Sequence, residues 1–329
     1  MSATDGHPRL LTLRALKLGD LLTGVPALRA LARAFPDHRR ILAAPAGLAA
    51  LARHTGAVDE VVDTPSLDHL DAQVHHADVA VNLHGRGPQS TALLAATNPR
   101  RLIAFDQETG PRWRDDEHEV LRWCRLLDHS GIPADPTDLR LRTPDRPVAH
   151  EARGAALLHP GAADAARRWP PRRWVAVARS LRQADLEVLL TGAPEEVDLA
   201  RAIARDAGLP ARSVLAGRTD LLDLVATVAA AAFVVSGDTG VAHVATATST
   251  PSVVLFGPVP PSEWGPPPCS RHVALWAGRR GDPHAPTVDS GLLRLTVEDV
   301  LAAVEGLRRE MSSGERARPE PVVSRSEHA

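Results

Sequence analysis

The triplet Asp238-Thr239-Gly240, with His243 one helical turn beyond, puts a carboxylate, a hydroxyl, an unobstructed backbone and an imidazole into one short segment. The apolar run Phe233-Val234-Val235 before it predicts a buried parallel strand, and residues 241–248 have the small, apolar texture of a packed helix. A strand, a turn of small residues and a helix start make an anion site. The first helical amides are unpaired and the helix dipole adds partial positive charge there. Pro251 opens a second buried strand, residues 252–256, which Gly257-Pro258 ends. Two other readings compete. Asp-Thr-Gly is also an aspartic-protease triplet, and Asp289-Ser290-Gly291 follows downstream, but that chemistry belongs to an all-β frame rather than to a strand–helix junction. Alternatively, Asp238 simply caps the helix.

Other residues could share the work. Asp20 follows a first strand, where Gly19 permits a sharp turn; a carboxylate there faces an interdomain cleft and can accept a proton from an attacking hydroxyl, unless it is only a helix cap. His159-Pro160-Gly161 ends a later strand, and Arg167-Arg168-Trp169-Pro170 follows in the same loop. Arginines there can clamp phosphate oxygens, although in so arginine-rich a chain either one can be plain surface. Thr191-Gly192 ends the next strand, and Glu196 lies in the first turn of a helix. An acid so placed can accept from ribose hydroxyls, or can merely complement the helix dipole. His75-His76 and the acidic stretch 115–119 flank helices and read as solvated faces rather than metal ligands. The chain lacks a GxGxxG fingerprint, a P-loop, a GxSxG elbow and an acidic pair near a strand end. Phosphate charge therefore falls to arginine and helix amides rather than to a divalent cation.

Holding these groups requires a scaffold of strands alternating with helices. Strands are expected at residues 10–13, 40–43, 60–63, 79–82 and 102–105, separated by helices, with a longer amphipathic helix at 117–127. A proline-rich stretch, about 132–150, reads as a linker after a first domain of residues 1–145. A second series spans 151–311, with strands at 155–158, 187–191, 214–215, 233–235, 252–256 and 272–275 and a last helix at 297–309; residues 312–329 read as a disordered tail. The fold class expected is α/β: two Rossmann-like domains whose parallel sheets face each other across a cleft, each burying its own core.

Composition narrows the partners. A net charge of −2 over 329 residues gives no argument for nucleic acid or a membrane surface. The longest apolar run, 221–235, is interrupted by Asp223 and too short to span a bilayer, and the polar amino terminus shows no signal peptide. Cys124 and Cys269 lack metal-ligand spacing. A cytoplasmic location follows, or one peripheral to a membrane.

As a set, these residues resemble glycosyltransferase family 9, typified by the ADP-heptose:lipopolysaccharide heptosyltransferases of the two-domain GT-B fold. The resemblance rests on Leu18-Gly19-Asp20 with Pro26-Ala27-Leu28, on His159-Pro160-Gly161 with Arg167-Arg168-Trp169-Pro170, and on Leu215-Ala216-Gly217-Arg218-Thr219. It continues through Ser236-Gly237-Asp238-Thr239-Gly240-Val241-Ala242-His243 and closes with Leu255-Phe256-Gly257-Pro258 and Glu263-Trp264-Gly265-Pro266. It implies an inverting, metal-independent transfer from a nucleoside diphosphate sugar, first of all ADP-heptose, with Asp20 catalytic and its neighbour Gly19 among the donor-binding residues. Asp20 matches the general base, Thr239 and Gly240 the pyrophosphate contacts, and Asp238 a carboxylate facing donor hydroxyls. His243 supports that loop, Glu196 (or Glu195) matches a ribose-binding acid, Thr219 falls near the backbone that holds the base, and Arg167 stands where a donor-binding lysine is found. No cofactor or metal is implied.

Three departures concern the donor. Arg167 replaces a compact ammonium by a planar fork; Ala162 and Ala163 stand about where hydroxyl residues touch the donor; and Lys17, the only lysine, occupies the place of a small serine. The acceptor, a glycan, a lipid-linked molecule or a natural product, is carried by no legible code, although loops 84–89 and 106–116 are where it would be selected. Two alternatives remain at this point: a GT-B-fold nucleotide-sugar epimerase, which would turn over without an acceptor, and a non-catalytic nucleotide-sugar binding module.

Overall fold

The structure is a computed structural model that describes residues 7–105 and 110–316. The first half builds β1 (Arg9–Leu13), α1 (Leu18–Thr23), α2 (Val25–Ala34), β2 (Arg39–Ala44), α3 (Ala49–His54), β3 (Glu60–Asp63), β4 (Val79–Asn82), α4 (Gln89–Ala95), β5 (Arg101–Ile103) and α5 (Glu119–His129). The second builds β6 (Ala156–His159), α6 (Pro171–Gln183), β7 (Val188–Leu190), α7 (Val197–Ala207), α8 (Leu221–Ala230), β8 (Phe233–Gly237) and α9 (Gly240–Thr248). β9 (Ser252–Phe256), α10 (Pro261–Trp264), β10 (His272–Trp276) and α11 (Val297–Arg316) complete it.

Each half holds one parallel sheet, ordered β3-β2-β1-β4-β5 and β10-β9-β8-β6-β7. The order reverses between β1 and β4 in the first sheet and between β6 and β8 in the second. Loops leaving the carboxyl ends of strands diverge at such points and leave a crevice for a ligand. The loops concerned are those after Leu13, Asn82, His159 and Gly237, so the topology alone selects the segments bearing Asp20, Arg167 and Asp238.

Several expectations change in detail. Asp20 is not on a turn: α1 begins at Leu18 and carries Asp20 in its first turn. Residues 214–215 form no strand, only one bridge between Leu190 and Val214. β5 stops at Ile103, and Phe105 instead packs its ring against Trp113 and Trp123. α11 continues to Arg316, past the expected tail start at Ser312; residues 317–329 and 106–109 lie outside the described ones.

The domains also do not keep separate cores. One apolar cluster joins Leu28, Leu51 and Leu127 of the first half to Leu157, Val225, Val234 and Val244 of the second. α8 is apolar nearly all round because one side covers its own sheet and another meets α3. The linker is part of this seam: buried Leu141 donates its amide to the Ala247 carbonyl at 2.8 Å, and Arg29 of α2 pairs with Asp138 at 2.5 Å.

Candidate active site between the two sheets

The first turns of α1 and α9 meet head to head, because both carry glycine where they touch. A β-carbon on Gly19 would lie 2.9 Å from the His243 ring and 3.6 Å from the Gly240 Cα; one on Gly240 would lie 2.9 Å from the Leu18 side chain. Gly19 is thus needed for close approach, not for a sharp turn as its position after a strand suggested. Asp20 accepts a 3.2 Å hydrogen bond from the Lys17 amide, while its charge raises the pKa of Asp238 in the opposite domain.

Thr239, rather than Asp238, is the N-cap of α9; its backbone is extended, as is usual there, yet its hydroxyl makes no capping bond. That hydroxyl is buried without a partner, as is Nε of Arg167. Buried polar groups rarely go unpaired, so both are suited to a polar ligand. Asp238 is 6% exposed and faces Arg167 at 3.5 Å. Burial raises its pKa to about 6, with Arg167 opposing and Asp20 adding to the rise. His243 lies edge to face with Trp264, ring centroids 6.0 Å apart, and its pKa falls to about 4, chiefly through burial and then through the nearby His118. It is a neutral wall of the junction near pH 7.

The Arg167-Arg168-Trp169-Pro170 loop divides its labour. Arg168 turns back on its own loop, donating to the carbonyls of Ala162 and Ala163 at 2.8 and 3.2 Å, and Trp169 is anchored by an indole bond of 3.0 Å to the Leu295 carbonyl. Only Arg167 faces Asp238. Glu196 forms a second group beside this one. Its carboxylate caps the Ala193 amide at 2.8 Å, stands 3.9 Å from Nε2 of His159, and covers Gly161, where a β-carbon would fall 1.9 Å from Oε1. Burial lowers the pKa of His159, against the raising effect of Glu196. Gly217 has φ +70 and donates to the Gly192 carbonyl, so the loop bearing half-buried Thr219 runs along the Glu196 side. Among the described residues, no group of three or more His, Cys, Asp or Glu could hold a metal ion, and no helix is long and apolar enough to cross a membrane.

Residues 94–289 match the model of glycosyltransferase family 9 (heptosyltransferase). The chain belongs to this family. It is 30% identical over 199 residues to lipopolysaccharide heptosyltransferase 3 of Escherichia coli, an alignment covering 59% of this chain and 53% of that protein. The chain thus spans about half the length of the curated relative it matches. Among solved structures it is similar to E. coli ADP-heptose lps heptosyltransferase II, with TM-score 0.71 and 21% identity over 92% of this chain and 99% of the other. It is also similar to E. coli heptosyltransferase WaaC with ADP, with TM-score 0.67 and 18% identity over 90% and 99%. Those likenesses identify the fold of this family 9 chain as GT-B.

One component of this family 9 site is absent from the motifs discussed above. Arg14, the first residue after β1, is 1% exposed and lies against the junction. Its guanidinium donates to the Asp20 carbonyl at 2.5 Å, to the Leu83 carbonyl, to the Thr23 hydroxyl at 3.1 Å and to Glu119 at 3.0 Å, and it lies 5.0 Å over the Trp123 ring. Burial alone would raise the Glu119 pKa, but Arg14, Arg122 and the Trp123 indole bring it below the usual value. A charge directly after an apolar run, six positions before Asp20, was the available signal, and it reads equally well as the solvated end of a strand. His84, after β4, lies within the electrostatic reach of both Arg14 and Asp20, and burial first and Arg14 second lower its pKa. The preceding Asn82 holds that loop through bonds to Gly85, Ser90 and Thr91.

Proposed function

We propose that the chain transfers a sugar, in the first instance heptose from ADP-heptose, from a nucleoside diphosphate donor to an acceptor hydroxyl, with inversion and without a metal ion. One observation carries this reading: the Gly19–Gly240 junction, at which Asp20 of one domain acts electrostatically on Asp238 of the other, beside Arg167 and an unpartnered Thr239 hydroxyl. The α9 amides, Thr239 and Arg167 hold the pyrophosphate and stabilise the charge that grows on it as the sugar leaves. Asp238 meets donor sugar hydroxyls, Glu196 the ribose, with Thr219 on the same side, and His243 walls the junction. Asp20 takes the proton of the acceptor hydroxyl as its oxygen attacks the anomeric carbon opposite the leaving diphosphate. The acceptor is a glycan, a lipid-linked molecule or a natural product, reached from the cytoplasm or from a membrane surface. The heptose donor is supported by relatives that carry heptosyltransferase in their names.

ADP release from ADP-heptose, followed across a panel of acceptors, tests the reading. Asp20→Asn should lower kcat by about 10²- to 10⁴-fold, the usual contribution of a general base. EDTA should leave the rate unchanged, and the product should carry the inverted anomeric configuration by NMR. Undiminished transfer by Asp20→Ala would remove the base. Mass spectrometry of nucleotide sugars retained by the purified protein identifies the donor without assuming an acceptor.

A further inference from the structure

We infer that Arg14 is the positioning residue for Asp20, with Glu119 as its counter-ion; the inference rests on the assignment of Asp20 as base. α1 is six residues long and holds a glycine at its second position, so it has little helical stability of its own. It is held instead through the Asp20 carbonyl, on which three donors converge: Nε of Arg14 at 2.5 Å, the Gly24 amide at 3.1 Å and the Thr23 hydroxyl at 3.0 Å. The remaining arms of the same guanidinium reach the Leu83 carbonyl at the end of β4, the Thr23 hydroxyl and Glu119 at the start of α5. One planar group therefore fixes the base's own peptide unit against the two strands of the switch point and against α5. Lysine carries the same charge on one nitrogen and cannot address acceptors in so many directions. Gly24 leaves the space, since a β-carbon there would lie 2.9 Å from Nε of Arg14.

The network also reaches the other domain. His118, the residue before Glu119, accepts the Val120 amide on Nδ1 at 3.2 Å, so Nε2 is the nitrogen that donates to the Gly265 carbonyl at 2.9 Å. Gly265 follows Trp264, which packs on His243 of the Asp238 segment. The side chains that hold Asp20 and those that hold the opposite loop are therefore consecutive residues of one helix start.

The test compares the full chain with Arg14→Lys, Glu119→Gln, Asp20→Asn and the double variant Arg14→Lys/Asp20→Asn, using ADP release from ADP-heptose and amide hydrogen exchange of residues 21–24. Arg14→Lys should lower kcat about 100-fold, the scale of an ångström-sized misplacement, with KM for ADP-heptose changed less than about threefold. It should add no further loss in the Asp20→Asn background, and it should speed exchange in α1 at least tenfold while α9 keeps its protection. Glu119→Gln should shift both readouts in the same direction by a smaller factor. Wild-type kcat in Arg14→Lys, with Asp20→Asn slow, overturns the inference and leaves the base assignment standing. Full turnover by Asp20→Asn overturns both. Unchanged exchange in α1, or a loss of protection throughout the chain with KM rising in step, overturns the positioning role whether or not turnover is measurable.

Discussion

Gly240→Ala is the most direct perturbation of the junction. The added β-carbon would stand 2.9 Å from Cβ, Cγ and Cδ2 of Leu18 together, about 0.5 Å inside an ordinary carbon–carbon contact. Cγ and Cδ2 could rotate away, but Cβ is fixed to the α1 backbone, so relief requires α1 to stand off from α9. Overpacking of this kind costs about 1–3 kcal/mol. Set against an arrangement in which the two helices are apart, that is about a 5- to 150-fold loss of the joined form, at ~1.4 kcal/mol per factor of ten. We expect kcat/KM for ADP-heptose to fall by that factor in a steady-state ADP-release assay. Leu18→Ala removes two of the three close atoms and should restore part of the loss in the double variant. If Gly240→Ala keeps kcat/KM within twofold with an unshifted melting temperature, the close approach is not what makes Gly240 necessary. If Leu18→Ala rescues nothing, the methyl obstructs the donor rather than α1.

The raised pKa of Asp238, about 6, means that the native state holds this proton more tightly than the unfolded chain, so stability is lost as pH rises from about 4 through 6. Asp238→Asn should therefore gain about 2 kcal/mol on wild type between pH 4 and 7.5 in urea melts; a pH-independent difference would mean that the carboxylate is not desolvated. His243 has the opposite sign: its pKa of about 4 makes the native state lose stability as pH falls from 6.5 toward 4, and His243→Gln should flatten that limb in the same melts. Arg167→Met should raise KM for ADP-heptose about 10- to 100-fold, the loss of one charged phosphate contact, and an unchanged KM would place the pyrophosphate elsewhere. In Gly161→Ala the atoms nearest the new β-carbon are the Glu196 carboxylate, which must leave the Ala193 amide it caps, so stability should fall by about 1 kcal/mol, the loss of one cap, while ADP affinity by calorimetry drops about tenfold; unaltered affinity would separate Glu196 from the nucleotide.

Much of this was legible in the chain because buried parallel strands write themselves as short apolar runs, and β1, β4, β8 and β9 lie where those runs predict. The strand–turn–helix arrangement around Asp238 to Gly240 was legible for the same reason: an apolar run, small residues and a helix-forming stretch in succession leave few alternatives. α1 was missed because six residues with an internal glycine do not complete a periodic pattern. The shared core was missed for a different reason. Periodicity shows which face of α3 or α8 is apolar, but not which element covers it, and α3 and α8 cover each other across the domain boundary. Arg14 and Glu119 are 105 positions apart and meet only in the fold, so neither charge announces that it is buried. Equally, Arg167 and Arg168 are indistinguishable in the sequence; the loop conformation alone sends one to Asp238 and the other to its own backbone.

The seam that runs from Leu28 and Leu51 through the linker to Val225 and Val244 has a consequence for protein engineering. Exchange of whole domains between family members is an attractive way to recombine donor and acceptor preferences, with the cut placed in the proline-rich stretch after α5. In this chain such a cut runs through packed apolar surface and through the Leu141–Ala247 backbone bond. A chimera must carry α1, α2, α3, α8, α9 and residues 138–142 from a single parent and confine its crossovers to the outer strands and the loops above them.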